Sequence, residues 1–516
     1  PTNNCDKNRL DTSEENTKVW GVETKNKIVT AFDLIRLSLN GKQPRLRKPK
    51  IVRGVMQMKE DGTPIMVIDA EATARARAMQ EKIKKRFSDW AWEDAERATR
   101  IARKYNDQFN SSVEQKWDGS KLTIPGMAQS VELMQHQKDG IYRAVYGKRD
   151  AGLFHKVGFG KTFQLIGTAI KGKQVGKWRK PLLEVPNHLV QQMASDTLAM
   201  FPSAKVLAIG GESLSAAERK ELVSRIATQE YDLVVCSHDV ASMISMSGET
   251  QGAYIREQLR DLEDMLAEIR AANKQAGGRE SKKKTGAQKD IEKRKKKLEA
   301  KLKSALASDG KDDDNLTFES LGVDHVLVDE AHLFKNLAFT TTIDGITPPD
   351  ADRAQDLHMK SWWLRRKNDN NRAMTFATGT PVANSFFEAW TMARYLAPDL
   401  LKEMNIQTFN GFMGAFGKTF TTIEMTPDGS GYRERARFKY KNLPEFMKGV
   451  FRQFADIRSD ATEIGLKRPE YKGGKPQVIL APKSIVHKVF IDDLADRMTA
   501  IKNGDVEPDE DNPLVV

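Results

Sequence analysis

Short apolar runs alternate with helical segments from about residue 131 to about residue 400. The runs that resemble buried strands are AGLFHKV, PLLEVP, AKVLAIG, YDLVVCS, HVLVDEA and AMTFATG. Strands that alternate with helices form a parallel sheet that is covered by helices on both faces. The pattern therefore predicts an α/β lobe in this part of the chain.

The alternation is interrupted between residues 251 and 309. An apolar stripe at helical spacing runs from Ile255 to Ile269, Gly277-Gly278 breaks it, and a second stripe runs from Ile291 to Leu306. This pattern predicts a helical hairpin inserted into the lobe. The KRKKK run at 293–297 could contact DNA phosphates, but we favour a solvated hairpin in which it pairs with acidic side chains of the first helix.

The predicted organisation has six segments. Residues 1–125 form a helical accessory region, 126–250 and 310–400 are the two parts of the lobe, and 251–309 are the hairpin. Residues 401–480 are an interlobe linker with a β-rich segment and a helix around LPEFMKGVFRQFADI, and 481–516 begin another α/β unit. Because the chain starts at Pro1 without a Met and stops on the apolar DEDNPLVV, we expect a piece of a longer polypeptide.

Charge and composition point to a polyanionic partner. The 516 residues carry a formal net charge of +12, with a pI near 9.3, which favours association with nucleic acid but says nothing about the fold. The two cysteines are too few for a disulfide framework. No apolar stretch approaches the roughly 18 residues of a membrane span, so we expect no membrane partner.

The string FGKTF occurs twice, at 159–163 and at 416–420. Gly-Lys-Thr binds phosphate when a strand leads into the loop and a helix begins after it, because the backbone N–H groups and the positive end of the helix dipole then face the phosphates. The first copy has both neighbours. The second precedes the β-branched TFTTIEM and a turn, so we expect no nucleotide there.

The first copy predicts a nucleotide loop from Val157 to Thr162 that includes Gly158, Phe159, Gly160 and Lys161. Its irregularity is His155, which stands where such a loop usually opens with glycine. Gly-x-Gly-Lys-Thr alone is moderate evidence, so the assignment needs a second motif.

HVLVDEAHLFKN supplies that motif, because an apolar strand that ends in Asp329-Glu330 places carboxylates at the edge where parallel sheets keep their ligands. Asp329 and Thr162 would hold Mg²⁺, the former through water, while Glu330 polarises the attacking water. Such a pair could also be a helix N-cap. No Cys or His cluster surrounds His332, so we expect it to act as a relay rather than as a metal ligand.

Two further stretches precede the Asp-Glu pair in the sequence. In the stretch LMQHQKDGI, Gln137 could form hydrogen bonds with the edge of the adenine base, although the same stretch is also typical of an ordinary helix start. Pro186, Asn187 and His188 follow a predicted strand and could contact DNA. The simpler alternative for these three residues is a proline-capped turn.

TFATGTPVANS follows the Asp-Glu strand. Its hydroxyl groups, on Thr378 and Thr380 around Gly379, could link the nucleotide state to bound nucleic acid. The simpler alternative is an ordinary turn.

These motifs resemble the ATPase core of helicase superfamily two, and in particular the Swi/Snf-type translocases of double-stranded DNA, in which DEAH is followed by a Lys-Asn pair like Lys335-Asn336. The chain is also similar to large phage and mobile-element antirestriction proteins of the DarB type, which join a methylase region to a helicase. The matching stretches include HKVGFGKT, VPNHLVQQ, GVDHVLVDEAHLFKNL and ATGTPVANSFFEAWTMARYL. In that family the opening glycine is replaced, so His155 fits.

The resemblance implies a RecA-like P-loop NTPase lobe that uses ATP and Mg²⁺ and binds double-stranded DNA, with Lys335 and Asn336 as further DNA contacts. It also implies a methylase-type region upstream, since no NPPY motif is present here, and a second RecA-like lobe downstream that supplies arginine fingers. The expected location is the cytoplasm of a bacterial host or the interior of a phage particle.

The expected function is therefore the core of an ATP-dependent DNA translocase or helicase, a DEAH-type ATP hydrolase that is weakly active without its second lobe. One alternative is a DNA-binding or virion-internal structural protein that keeps the fold without turnover. The other is a loader or clamp that hydrolyses ATP without moving along DNA.

Overall fold

The computed structural model describes residues 20–24, 27–39, 43–44, 46–52, 55–58, 62–111, 113–210, 216–275, 286–308, 317–343, 346, 348–383, 385, 387–425, 432–460, 479–482 and 484–503. The chain divides into two compact units. The first comprises Pro1–Lys418 and Lys439–Asp460, and the second Thr419–Phe438 and Ala461–Val516.

The N-terminal region combines helices with short antiparallel strand pairs. Its elements are β1 (Val22–Thr24), β2 (Lys27–Val29), α1 (Ala31–Leu39), β3 (Arg47–Pro49), β4 (Ile51–Val52), β5 (Val55–Met56), β6 (Met66–Ile68), α2 (Ala70–Glu93) and α3 (Ala95–Phe109). The pairs are β1–β2, β3–β6 and β4–β5.

The helical prediction for this region holds from residue 70 to residue 109. Asp69 and Asp94 begin the two helices, since their carboxylates accept hydrogen bonds from the N–H groups of Ala72 and Arg97. The prediction misses the strand pairs, because strands of two or three residues are too short for an alternating pattern to show.

The lobe follows from residue 135 onward. Its elements are α4 (Gln135–Tyr146), β7 (Ala151–His155), α5 (Lys161–Gln174), β8 (Pro181–Val185), α6 (Val190–Met200), β9 (Val206–Ile209), α7 (Ala216–Thr228), β10 (Leu233–Ser237), α8 (His238–Met243), α9 (Gly248–Gln275), α10 (Gly286–Ser308), β11 (His325–Val328), α11 (Asp352–Lys367), β12 (Met374–Ala377), α12 (Glu388–Leu396), α13 (Pro398–Glu403) and α14 (Phe409–Phe416).

The chain then forms a two-stranded sheet and a last helical segment of the lobe. These are β13 (Gly417–Met425), β14 (Tyr432–Tyr440), α15 (Leu443–Phe446), a π-helical turn (Met447–Phe451), α16 (Arg452–Phe454) and β15 (Ala455–Arg458). In the second unit, α17 (Ile485–Asn503) is the helix expected there. Most of the strand expected before α17 lies outside the described residues.

One seven-stranded sheet organises the first unit, in the order β15-β7-β12-β11-β8-β10-β9. Every pair in it is parallel. All residues of β7, β8, β10, β11 and β12 are buried, so these strands are covered on both faces. The predicted parallel α/β lobe is confirmed.

The two faces have different cores. On one face, Leu153 and Leu183 of the sheet join a cluster that includes Ile141 of α4, Leu165 of α5 and Met193 of α6. On the other face aromatic side chains predominate. The ring pairs there include Phe376 with Tyr395 of α12, at 5.1 Å between centroids, and Phe154 with Phe451, at 5.6 Å.

Strand β15 corrects the prediction for the end of the lobe. The helix expected over LPEFMKGVFRQFADI ends at Phe454, and Ala455–Arg458 pairs with β7 at the edge of the sheet. A segment assigned to the linker therefore supplies the seventh strand. The four residues of this strand show no apolar run, so the pattern did not separate them from the helix before them.

The predicted hairpin is present as α9 and α10, which share a small core that includes Leu262 and Leu298. Its basic run is largely used within the protein. Lys295 Nζ lies 2.6 Å from Glu263 Oε1 of α9, whereas Lys297 pairs outside the hairpin with Asp350, at 2.5 Å. These contacts agree with the favoured paired hairpin, although the pairing is only partly between its two helices.

No helix among the described residues is long and apolar enough to cross a membrane.

Two glycine substitutions test the packing with the same chemical change. Gly172 of α5 is covered by Trp178, and a Cβ at this position would lie 1.8 Å from Trp178 Cζ2. We expect Gly172→Ala to lower the free energy of unfolding by about 1–3 kcal/mol because the indole must move. A Cβ at Gly414 of α14 would meet no described atom within 4 Å beyond its chain neighbours and its own helix backbone, so Gly414→Ala should raise the free energy of unfolding by about 0.5–1 kcal/mol. Urea denaturation measures both, and equal midpoints would contradict the packing described.

Candidate nucleotide site

The phosphate loop comprises residues 156–160 and connects β7 to α5. Gly158 and Gly160 have φ angles of +89° and +67°, a region that favours glycine. At Gly160 a Cβ would also lie 2.1 Å from Gln137 Nε2, so any other residue would have to displace the Gln137 amide besides adopting this backbone conformation. Because α5 begins at Lys161, its unpaired N–H groups and positive dipole end face the loop. The strand, loop and helix predicted for the first FGKTF are all present.

Lys161 lies folded against the loop. Its Nζ donates a hydrogen bond to the carbonyl oxygen of His155 at 3.2 Å. Thr162 is half-buried next to it, Val157 is 80% exposed, and Phe159 is buried. The ammonium group thus has a replaceable partner, a neutral carbonyl oxygen that a phosphate would outcompete.

The Asp-Glu pair stands at the carboxyl end of β11. Asp329 is buried, and its N–H donates to the Glu184 carbonyl oxygen at 2.9 Å. Asp329 Oδ1 accepts from the N–H of Glu330 at 2.9 Å. Glu330 adopts a left-handed φ of +48°, which is uncommon for a residue with a side chain and occurs often at functional sites.

Burial raises the pKa of Asp329, and Glu330 raises it further. The hydrogen bond from the Glu330 N–H and the Lys161 ammonium oppose this rise. Since β7 and β11 are parallel strands of one sheet, separated only by β12, the phosphate loop and the Asp-Glu pair lie at the same edge of the sheet.

His332 connects this site to the end of β12. Its Nδ1 lies 3.1 Å from Glu330 Oε2 and 3.2 Å from Thr378 Oγ1. Thr378 Oγ1 also accepts from the N–H of Thr380 at 3.2 Å. A Cβ at Gly379 would lie 3.5 Å from Val157 Cγ2, so the turn that follows β12 touches the phosphate loop.

Gln137 lies beside the loop at the start of α4 and is buried. Its Oε1 accepts from the N–H of Met134 at 2.8 Å, which caps the helix, and its Nε2 faces Gly160. The simpler alternative, a helix start, is thus present. Contact with an adenine edge stays a prediction.

His155 does not direct its side chain into the loop. The imidazole is fully buried behind it and contacts Gln164 and Asp456. The residue therefore lines the candidate site only through its carbonyl oxygen. Gln164, Asp456 and the nearby His136 were not predicted, because their contacts with His155 and with the Phe159 carbonyl oxygen leave no mark in the local sequence pattern.

The residues expected to contact DNA fall into two groups. Residues 187–189 form a single 3-10 turn directly after β8, where Asn187 and His188 are exposed and Pro186 is half-buried. Asn336 is also exposed. Lys335 is different, because its Nζ lies 3.1 Å from Glu388 Oε1 and the two side chains are 13% and 2% exposed. The Lys335 ammonium group is thus engaged in an internal ion pair, and a DNA contact at this residue stays a prediction.

The second FGKTF has the local structure that the sequence predicted. Phe416 ends α14, and Gly417 begins β13, so no helix starts after its Gly-Lys-Thr. Lys418 is exposed.

A cavity of about 350 Å³ lies away from the phosphate loop, between the hairpin and α11. Charged groups on its wall pair with each other, including Lys301 Nζ with Asp352 Oδ1 at 3.1 Å. The cavity contains none of the predicted site residues.

In the part of the chain that the structure describes, no three His, Cys, Asp or Glu side chains could hold a metal ion together. Mg²⁺ at phosphates needs no such cluster, because it keeps several waters and takes only one or two protein ligands. The Thr162 hydroxyl and the Asp329 carboxylate provide oxygen ligands of the preferred kind. The residues present therefore fit a nucleotide-bound magnesium ion.

A glycine-dependent loop at a helix start, together with an Asp-Glu strand end at the same edge of a parallel sheet, defines a P-loop NTPase lobe. The family model described as a probable helicase domain matches residues 147–459. This match covers more than half of the chain, so the chain belongs to that family. A second model, for a domain of unknown function, matches residues 4–111.

A curated relative is Defense against restriction protein B of Escherichia phage P1. It is 22% identical over 424 residues, which are 72% of this chain but 18% of the relative. The motif-based resemblance to superfamily-two helicases of antirestriction type is thereby confirmed. The chain spans less than a fifth of the relative's length.

Two solved structures are similar to the chain. One is the Sulfolobus solfataricus SWI2/SNF2 ATPase core in complex with dsDNA, with a TM-score of 0.33 and 15% identity, covering 65% of this chain and 46% of that one. The other is the Sulfolobus solfataricus SWI2/SNF2 ATPase core domain, with a TM-score of 0.34 and 14% identity, covering 69% and 49%. At these TM-scores the fold assignment rests on the sheet topology and the family model.

The ion pair of Lys335 leads to a test of its role. Lys335→Ala leaves the carboxylate of Glu388 buried without its cation, so we expect the free energy of unfolding to fall by roughly 3 kcal/mol. Asn336→Ala, at the exposed neighbouring position, should change it by less than about 0.5 kcal/mol. Thermal or urea denaturation compares the two. A stable Lys335→Ala variant with weakened DNA binding would instead support the DNA contact.

Proposed function

We propose that this chain is the ATP-hydrolysing core of a DNA translocase or helicase. The observation that carries the proposal is the chain of contacts from Glu330 through His332 to Thr378. It joins the Asp-Glu strand end to the turn that touches the phosphate loop. A protein that only kept the fold would not need a buried carboxylate and a strained glutamate aligned with a phosphate loop.

Each side chain of the site has a role in this proposal. The N–H groups of residues 158–162 bind the phosphates, and Lys161 leaves the His155 carbonyl oxygen to contact the β- and γ-phosphates. Thr162 and Asp329 would hold Mg²⁺, Asp329 through water. When bound, the ion neutralises the charge that develops on the phosphates. Glu330 orients the attacking water and accepts its proton.

His332 acts as the relay between hydrolysis and movement. Its imidazole contacts both the glutamate that faces the water and the Thr378 hydroxyl, so loss of the γ-phosphate can alter the turn formed by Thr378, Gly379 and Thr380. That turn stands at the sheet edge that also holds Asn187 and His188. DNA bound at this edge would respond to the nucleotide state.

Double-stranded DNA is the proposed partner. The formal charge of +12 favours a polyanion, and Pro186, Asn187, His188 and Asn336 offer contacts at or near the carboxyl edge of the sheet. The relative's name concerns defence against restriction. We therefore place the chain within a larger antirestriction-type protein of a phage or mobile element, with a methylase-type region and a second RecA-like lobe. This protein would act in the cytoplasm of the host or travel in the particle.

The phosphate-loop lysine and its duplicate provide the direct test. In the parent protein, Lys161→Ala should lower DNA-stimulated ATP hydrolysis about 100- to 1000-fold, the usual effect of removing a positioned charge from a transition state. Lys418→Ala replaces the corresponding lysine of the second FGKTF and should leave the rate near that of the wild type. The measurement is phosphate release with and without duplex DNA. If Lys418→Ala lowered the rate of ATP hydrolysis and Lys161→Ala did not, the loop assignment would be overturned.

The same preparations separate this proposal from its alternatives. A translocase hydrolyses ATP faster with duplex and displaces the third strand of a triplex, whereas an unwinding helicase also separates the duplex strands. A loader or clamp hydrolyses ATP but displaces neither. A structural DNA-binding protein binds duplex without any hydrolysis that depends on Lys161.

A further inference from the structure

A chain of buried hydrogen bonds lies behind the phosphate loop. His155 Nε2 contacts Asp456 Oδ2 at 3.1 Å, and Gln164 Nε2 donates to His155 Nδ1 at 3.0 Å. His155 and Gln164 are fully buried, and Asp456 is 8% exposed. Because Nδ1 accepts from the amide, Nε2 carries the proton and donates to the carboxylate. Both ring nitrogens are satisfied by a neutral imidazole.

The chain continues to a backbone carbonyl of the loop itself. The carbonyl oxygen of Phe159 accepts from Gln164 Nε2 at 3.3 Å and lies 2.9 Å from His136 Nε2. Since Gln164 and His136 are buried behind the loop, they hold this carbonyl on the inner side. In a trans peptide the C=O and the N–H point in opposite directions. Fixing the Phe159 carbonyl inward therefore aims the N–H of Gly160 outward, toward the place of the phosphates.

Strand β15 anchors the other end of the chain. Its Arg458 is paired with His155 in the sheet, and the N–H of Lys156 donates to the Arg458 carbonyl oxygen at 3.0 Å. Arg143 of α4 donates to the Ala455 carbonyl oxygen at 2.9 Å. Burial alone would raise the pKa of Asp456, yet its neighbours His155, Arg458 and Arg143 hold it below the usual range. Asp456 thus accepts the hydrogen bond from His155 as an ionised carboxylate.

We propose that Gln164, His155 and Asp456 are positioning residues that hold the Phe159–Gly160 peptide in its phosphate-binding orientation. The inference rests on the proposed function, because it assumes that the loop binds a nucleotide. His155 then has a role that a glycine cannot have, because its imidazole connects Asp456 of β15 to the Gln164 amide. The residue that interrupts the usual glycine pattern is a structural part of the loop.

Gln164→Leu tests the proposal with little change in volume. It removes both donors of the amide but leaves His136 Nε2 in contact with the Phe159 carbonyl oxygen. The Phe159–Gly160 peptide is then held less firmly, and we expect the Kd for fluorescent ADP with Mg²⁺ to rise about tenfold. Amide hydrogen exchange in residues 156–162 of the ligand-free chain should become faster. Asp456→Ala should change both readouts in the same direction, whereas Asp456→Asn, which keeps an acceptor oxygen, should lie nearer to the wild type.

Thr168→Val is the matched control. Thr168 lies one turn further along α5 and is fully buried, and its hydroxyl has no hydrogen-bond partner among the residues that the structure describes. The change is also polar to apolar, so it reports packing effects in the same helix, and we expect wild-type affinity and loop exchange.

The outcomes separate the two proposals. If the wild type binds the nucleotide and both Gln164→Leu and Asp456→Ala bind it equally well, the positioning role is overturned and the proposed function stands. If the folded wild type binds no nucleotide, the proposed function fails and the positioning role falls with it. Equal weakening by Thr168→Val would also overturn the positioning role, since packing alone would then explain the effect.

Discussion

The side-by-side order of β7, β12 and β11 is the constraint on which the candidate site depends. Parallel strands bring their carboxyl ends to one edge of the sheet, and this order places the end of β12 between the phosphate loop and the Asp-Glu pair. The Thr378 hydroxyl can therefore meet His332 while the next residue touches Val157. Any other order would separate the loop from the carboxylates or leave no strand end between them.

The outer parts of the lobe support the same edge. Strand β15 extends the sheet beyond β7 and supplies Asp456, which reaches the loop through His155. The hairpin is fixed to the segment that follows the DEAH motif, because Arg294 donates to the carbonyl oxygen of Phe339 and Lys297 pairs with Asp350. Part of the basic charge in the hairpin is thus engaged in contacts within the lobe.

Much of this arrangement could be predicted from the sequence, for physical reasons that differ between elements. Six of the seven sheet strands are apolar runs, and the phosphate loop and the Asp-Glu pair are recognised by residue types at fixed spacing. Strand β15 was missed because Asp456 and Arg458 give it no apolar pattern. The ion pair of Lys335 and the buried contact of His155 could not be predicted from the sequence, since both depend on partners distant along the chain, Glu388 and Asp456. Local patterns contain no information on such pairings.

The proposed function requires that the first FGKTF, and not the second, binds the nucleotide. A crystal structure of the chain with Mg²⁺ and a non-hydrolysable ATP analogue would show which of the two does so. We expect phosphate density held by the N–H groups of residues 158–162, with Lys161 Nζ moved from the His155 carbonyl oxygen to the phosphates and the metal between Thr162 and Asp329. Phosphate density beside Lys418, or at any place away from this loop, would contradict it.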